Sequence, residues 1–149
     1  RALIPADGNP DLPGDSALPA DYDTHRLILG LPDGSRDLVL EKAILLESGF
    51  DELHGVAWNK GCYMGQELTA RTKYRGLVKK RLVPVTIDGA LPASGTPVML
   101  DKKEVGEVRS GRDGRALALM RLEHLENTDA VFTADSATVA PTKPNWAEF

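Results

Sequence analysis

The sequence predicts an α+β protein in which a part made of helices and loops is followed by a small antiparallel β-barrel. Two observations lead to this fold class. Up to Gly76, apolar residues recur at helical spacing in short segments that Gly- and Pro-rich stretches separate. After Gly76, short apolar and β-branched runs alternate with turn signals at intervals of roughly 8–12 residues, which is typical of small barrels and sandwiches. We therefore place a boundary between residues 1–76 and residues 77–149.

Helical patterns occupy three segments of the first part. Residues 21–31 carry apolar residues on one face, and Gly30 and Pro32 terminate the helix. A short helix is predicted over residues 42–47 and ends near Gly49. A third helix is predicted to begin at Gly65 or Gln66 and to end near Gly76, with an acidic first turn and a basic last turn that suit the helix dipole.

The second part reads as a series of short strands joined by turns. A first strand over residues 82–87 follows an apolar pair at 77–78, which either extends it or pairs with it. Further strands are predicted at residues 97–100, 104–109, 116–121, 131–132 and 137–139. The aromatic tail at residues 145–149 either docks on the fold or frays.

The composition is that of an ordinary soluble domain. Of the 149 residues, 42% are hydrophobic and 27% are charged, and no apolar run approaches the roughly 18 residues that suggest a membrane span. The single cysteine rules out an internal disulfide framework and fits a reducing compartment. No signal peptide is visible. From these features we expect a cytoplasmic location and no membrane partner.

Positive charge is concentrated in one segment. Residues 60–81 contain seven basic residues and one acidic residue, so this segment carries a charge of +6. Because the net charge of the whole chain is −4, the remaining residues carry −10. A local basic patch on an acidic protein favours a small anionic ligand or an acidic patch on a partner. Nucleic-acid binding is not expected, because that function usually requires a basic domain.

The stretch at residues 60–67, which reads KGCYMGQE, is the strongest candidate for a functional site. Glycines on both sides of Cys62 indicate a turn that presents the thiol and Tyr63. The following helix N-terminus and the nearby Lys60 both favour a thiolate, the form that acts as nucleophile or metal ligand. A buried, inert packing residue is the alternative for a lone cysteine.

This stretch, followed by Ala70-Arg71 and Arg75-Gly76, closely resembles the signature of the YgfZ-type folate-binding proteins. These are relatives of the glycine-cleavage T-protein and act in iron–sulfur protein maturation. Residues 25–32, HRLILGLP, resemble the Arg-Leu-x-x-Gly-Ile-Pro helix of the same family. The resemblance extends from about Tyr22 to Val85 and is weaker over the barrel-like tail.

The resemblance implies a fold, a ligand and partners. Residues 1–76 would be the C-terminal remnant of a folate-binding-type α/β domain, and the whole chain a C-terminal fragment of a longer protein. Tetrahydrofolate or a derivative is the implied cofactor, and iron–sulfur proteins or their assembly machinery are the implied partners.

The resemblance also implies which residues form the site. The implied functional thiol is Cys62, supported by Lys60. The implied cofactor-binding residues are Arg26, Tyr63, Gln66, Glu67 and Arg71. Further cations and stacking rings are available at Trp58, Tyr74 and Arg75.

Two other function classes stay open. A folate-dependent aminomethyltransferase of the T-protein type is the main alternative, although T-proteins lack this cysteine motif. A nucleic-acid-binding module is a third possibility, but the predicted strands contain almost no aromatic residues for stacking. No metal site is predicted, because one cysteine cannot hold an iron–sulfur cluster and His54 has no second ligand at suitable spacing.

Overall fold

The computed structural model describes residues 5, 7–8, 14–127 and 130–149. The helices are α1 (Pro19–Leu29), α2 (Gly34–Asp37), a 3₁₀ helix (Leu45–Ser48), α3 (Gln66–Tyr74) and α4 (Leu122–Leu125). The strands are β1 (Lys80–Asp88), β2 (Pro97–Leu100), β3 (Lys103–Arg112), β4 (Arg115–Arg121), β5 (Phe132–Ala134) and β6 (Ala137–Pro141). Within these described residues, no helix is both long and apolar enough to cross a membrane.

The six strands close into an antiparallel barrel, which confirms the predicted barrel. Their order around the barrel is β1-β4-β3-β2-β5-β6, and β1 closes it by pairing with both β4 and β6. The interior is filled by small and β-branched side chains, which suit the narrow space inside a small barrel. The largest interior side chains that are almost completely buried are mostly valines and include Val83, Val85, Val98, Val105, Val108, Val139 and Met120.

The alternation of apolar and polar residues, together with the turn residues, located every strand. Several observed strand ends differ from the predicted ones. Residues 77–78 lie outside any strand, and β1 begins only at Lys80. Val131 is largely exposed and precedes β5. The strand β3 is longer than predicted because a register shift after Val108 lets it continue along β4 to Arg112. Such a β-bulge breaks the period-2 pattern that a sequence-based prediction follows.

The three predicted helices have structural counterparts with shifted ends. α1 starts at Pro19, because proline is well suited to the first turn of a helix, and stops before Gly30, which adopts φ 73°. α3 begins at Gln66, as predicted, and ends at Tyr74. The helix predicted at residues 42–47 is instead a single 3₁₀ turn over Leu45–Ser48, closed by Gly49 at φ 74°. The one-turn helix α2 was not predicted.

Arg26 links the helical part to the barrel. Its side chain is buried, and its Nε donates to Asp23 Oδ1 at 2.7 Å. Its Nη1 donates to Asp37 Oδ2 at 2.9 Å, and its Nη2 donates to Ser110 Oγ on β3 at 2.7 Å. Asp37 also accepts hydrogen bonds from the Ser110 backbone N–H at 2.9 Å and from the Ser110 hydroxyl at 2.5 Å. We call Asp23, Arg26, Asp37 and Ser110 the clasp.

Asp23 accepts hydrogen bonds from three arginines at one edge of the clasp. Bidentate hydrogen bonds from Arg36, together with those from Arg112 and Arg26, hold the pKa of Asp23 well below its usual value, against the opposing effect of burial. Because the folded-state pKa is depressed, the stability that this carboxylate contributes is complete above about pH 4 and is lost as the pH falls.

The C-terminal residues form a second connection between barrel and helices. Trp146 Nε1 donates to the backbone oxygen of Leu29 at 2.7 Å. A Cβ atom placed on Gly49 would lie only 2.6 Å from the Trp146 ring, so the indole packs directly on this glycine. The Glu148 backbone N–H donates to Glu52 Oε1 at 2.8 Å. Of the two possibilities for the aromatic tail, docking is therefore the one observed.

We expect Arg26→Met to destabilise the fold by about 3–5 kcal/mol, because it leaves the carboxylates of Asp23 and Asp37 buried without their shared cation. Urea unfolding at neutral pH measures this change. Arg36→Met is the matched control: the Arg36 side chain is 44% exposed and Asp23 keeps two other arginines, so a loss of about 1 kcal/mol or less is expected. Equal losses for the two variants would show that the clasp does not hold the two parts together.

Candidate functional site

The KGCYMGQE stretch forms an exposed loop that leads into α3. Gly65 is the N-cap residue and adopts φ 83°, a conformation that side chains with a Cβ rarely take. A Cβ atom on Gly61 or on Gly65 would meet no heavy atom within 4 Å, so both glycines face open space. The predicted turn is confirmed, and of its two glycines Gly65 is the one whose backbone requires glycine.

Cys62 is a free, exposed thiol at the centre of this loop. Its neighbour Met64 is 99% exposed. The Lys60 ammonium lies 4.4 Å from the centroid of the Tyr63 ring, in a cation–π contact. The expectation that the thiol reaches solvent is therefore confirmed, and the packing alternative does not describe this cysteine. Its functional role stays a prediction.

Helix α3 carries the rest of the motif and packs weakly on the remainder of the fold. Among its residues only Thr72 is buried. Glu67 in the first turn forms an ion pair with Arg71 one turn later, in the order that the helix dipole favours. The helix is thus stabilised mainly by local interactions, and its outer face is available to a ligand or partner.

An open concavity lies at the start of α3. It is lined by Tyr63, Gly65, Gln66, Glu67, Leu68 and Arg71. Four of the five cofactor-binding residues that the resemblance implies therefore lie together. They offer an aromatic ring, an amide, a carboxylate and a guanidinium, which could recognise a flat polar ligand with acidic groups.

Trp58 and Tyr74 contact each other instead of lining this concavity. Their ring centroids are 6.0 Å apart at an interplanar angle of 66°, an edge-on arrangement. The Lys73 ammonium lies 4.2 Å from the centroid of the Trp58 ring. Tyr74 is still 74% exposed. This cluster holds the preceding loop against the C-terminal half of α3.

Arg26 lies away from the other implied site residues. Its guanidinium donates to Asp23, Asp37, Ser110 and the Leu31 backbone oxygen, and these four acceptors use nearly all of its hydrogen-bonding capacity. It also borders a separate pocket lined by Tyr22, Leu31, Pro32, Phe50, Leu53 and Gly55. The structure thus gives Arg26 a structural role, and its implied role toward folate stays a prediction.

Two polar groups that the structure brings forward were not among the predicted site residues. Ser110 completes the clasp from β3, and Glu47 presents a half-buried carboxylate beside the barrel wall. Neither position stands out in the sequence, because the residues that surround it in the fold lie far away along the chain. Across the described ranges, no group of three or more His, Cys, Asp or Glu side chains is placed to hold a metal ion.

Comparison with known proteins identifies what the barrel resembles. Residues 79–149 match the family described as CAF17, C-terminal beta-barrel domain. The strand order and closure described above agree with this match.

Longer stretches of the chain are similar to iron–sulfur cluster assembly factors. The chain is 40% identical over 134 residues to "Iron-sulfur cluster assembly factor IBA57, mitochondrial" of Mus musculus, covering 85% of this chain and 37% of the relative. For the Homo sapiens protein of the same name the values are 39% over 133 residues, 85% and 37%. The Neurospora crassa homolog is 43% identical over 81 residues, covering 53% and 18%. The chain thus spans little more than a third of the first two relatives.

These matches support the broader part of the resemblance and correct one expectation. Similarity to iron–sulfur cluster assembly factors agrees with the maturation role that the motif implied, whereas the specific YgfZ assignment stays a prediction. The expected cytoplasmic location was wrong, because the relatives are named as mitochondrial proteins. The absence of a visible signal peptide could not decide location.

We expect Glu67→Lys to destabilise α3 locally by roughly 0.3–1 kcal/mol, because it reverses the charge at the helix N-terminus and removes the Arg71 partner. Amide hydrogen exchange within α3 measures this change. The double variant Glu67→Lys with Arg71→Glu restores the ion pair in the less favourable order and should recover part of the loss. Unchanged exchange in the single variant would show that the pair and the dipole contribute nothing to α3.

Proposed function

We propose that this chain is part of a tetrahydrofolate-binding protein that supports iron–sulfur cluster assembly or repair. The observation that carries the proposal is the exposed Cys62, presented on a glycine-flanked loop beside the concavity that Tyr63, Gln66, Glu67 and Arg71 share. Similarity to proteins named as iron–sulfur cluster assembly factors supports the same reading.

The thiol is suited to a transient contact with an iron–sulfur cluster. A cluster requires about four ligands, so a single cysteine supplies at most one of them and a partner protein or small thiol supplies the others. The cluster is then a cargo that passes through the site. An exposed loop with little packing around it fits such a contact, because both partners can approach the sulfur directly.

The concavity fits one side of a folate molecule. The Tyr63 ring provides a face for stacking the pterin, and Gln66 and Glu67 provide hydrogen-bonding groups for its polar edge. Arg71 and the nearby Lys60 provide positive charge for the glutamate tail. Because Glu67 and Arg71 pair with each other and Lys60 covers one face of Tyr63, folate binding requires these contacts to rearrange.

The cysteine also separates this proposal from the aminomethyltransferase alternative. T-proteins lack this cysteine motif, so a transferase of that type would keep its activity after Cys62 is replaced. A cluster-handling factor would lose function while its folate binding stayed intact.

We expect Cys62→Ser to preserve folding and to abolish support of iron–sulfur enzyme activity, since serine keeps the size of the side chain but removes the soft metal ligand. The measurement is aconitase activity in cells that lack their own assembly factor and express a protein carrying this chain. Met64→Ser, which changes a neighbouring exposed residue, is the control and should support full activity. Full activity with Cys62→Ser would remove the thiol from the proposed function.

We expect Tyr63→Leu to weaken tetrahydrofolate binding roughly two- to tenfold, since the ring would lose a stacking contact of about 0.5–1.5 kcal/mol. Isothermal titration calorimetry measures the change. Tyr74→Leu is the control, because Tyr74 is a largely exposed tyrosine at the end of α3 that lies outside the concavity. Equal effects of the two variants would place the folate site elsewhere, without bearing on the role of Cys62.

A further inference from the structure

The end of α3 and the loop that leads to β1 form a basic surface on which apolar side chains are exposed. Residues 73–79 read KYRGLVK, with three basic residues and no acidic residue. The three basic side chains are exposed, and they belong to Lys73, Arg75 and Lys79. Between them, Tyr74 is 74% exposed and Leu77 is 49% exposed. We call residues 73–79 the basic segment.

The positive charge of the basic segment is not neutralised within the fold. Arg71 and Arg81, which lie on either side of it in sequence, both have carboxylate partners. Within the part of the chain that the structure describes, the three basic residues of the segment form no ion pair. Exposed cations are solvated at little cost, so their combination with exposed apolar side chains is the feature that indicates an interaction surface.

Contacts at both ends hold the basic segment in one shape. At its start, the Lys73 ammonium lies 4.2 Å from the centroid of the Trp58 ring, and the Tyr74 ring meets the same ring edge-on with centroids 6.0 Å apart. At its end, the backbone oxygen of Lys79 accepts a hydrogen bond from the Leu122 N–H at 3.0 Å. A surface that is already formed loses little conformational freedom when a partner binds.

The distribution of charge indicates which kind of partner fits. Residues 68–87 contain six basic residues and no acidic residue, so the remaining residues carry −10. A membrane or a nucleic acid presents negative charge over a wide area and would repel that remainder. An acidic patch on a protein can be confined to the basic segment, since charges act over roughly 8 Å at physiological salt. The glutamate tail of a folate would pair with the cations but leave Tyr74 and Leu77 exposed.

We propose that the basic segment docks an acidic polypeptide stretch of the protein that shares an iron–sulfur cluster with Cys62. The carboxylates of that stretch pair with Arg75 and Lys79, and its apolar side chains cover Tyr74 and Leu77. Helix α3 has nine residues and is therefore about 13 Å long, so a protein docked at its end also reaches the loop at its start. The identity of the partner rests on the proposed function, whereas the docking contact itself does not involve the thiol.

The test is an NMR titration of the 149-residue chain with the peptide acetyl-Glu-Leu-Asp-Phe-Glu-amide. The expected result is saturable shifts of the amides of the basic segment, with an affinity that falls as salt is added, because salt screens the ion pairs. Arg75→Gln should weaken binding about two- to fivefold, which corresponds to the loss of one exposed ion pair. Leu77→Ser should weaken it as well. Arg115→Gln is the matched control and should leave binding unchanged, because this exposed arginine lies opposite Thr86, near the other end of β1.

Two further peptides separate the two kinds of contact. Acetyl-Gln-Leu-Asn-Phe-Gln-amide keeps the apolar side chains and removes the charges, and acetyl-Glu-Ser-Asp-Ser-Glu-amide does the reverse. Each should bind more weakly than the first peptide. Equal affinity for either of them, equal effects of Arg75→Gln and Arg115→Gln, or no saturable shift up to about 10 mM peptide would each overturn the proposal.

Other occupants of the basic segment give distinct results. Tighter binding to phosphatidylglycerol vesicles or to an oligonucleotide than to the first peptide would overturn the proposal in favour of a membrane or a nucleic acid. Concentration-dependent sedimentation that Arg75→Gln abolishes would overturn it in favour of a second copy of the chain. Cys62→Ser should leave the affinity for the peptide unchanged, so failure of the docking contact and failure of the thiol function are measured separately.

Discussion

The buried guanidinium of Arg26 is the interaction on which the arrangement of the molecule depends. It connects α1, the end of α2 and strand β3 through Asp23, Asp37 and Ser110, whose side chains are themselves buried. A buried charge is tolerated only when oppositely charged and hydrogen-bonding groups surround it, so these residues must meet in one geometry. The clasp therefore fixes how the helical segment lies on the barrel. The docked tail adds a second fixed point through Trp146.

This rigid frame contrasts with the weakly packed loop and helix that carry the motif. The barrel interior and the clasp are closed to solvent, whereas Cys62 and Met64 are exposed and α3 buries only Thr72. A reactive or ligand-binding group must be accessible to its partner, so burial in the core cannot stabilise its position. The frame can position such a loop precisely enough for function while leaving its side chains free to meet a partner.

The sequence predicted elements more reliably than contacts. The barrel strands followed from alternating side chains and turn residues, and the start of α3 followed from Gly65 and the charge order of Glu67 and Arg71. The one-turn helix α2 was missed because four residues carry too little periodicity. The 3₁₀ turn was predicted as a longer helix, since a short apolar run cannot distinguish the two.

By itself, the sequence determined the barrel class, the helix that follows the motif and the exposure of Cys62, because local patterning and turn chemistry control each of them. The grouping of Tyr63, Gln66, Glu67 and Arg71 also followed from their closeness along the chain and the helix that carries most of them. Only the tertiary structure decided that Arg26 is a clasp residue and lies outside the concavity at the start of α3. Arg26 meets Ser110 across 84 positions, and contacts between residues so far apart depend on how the whole chain packs rather than on any local pattern.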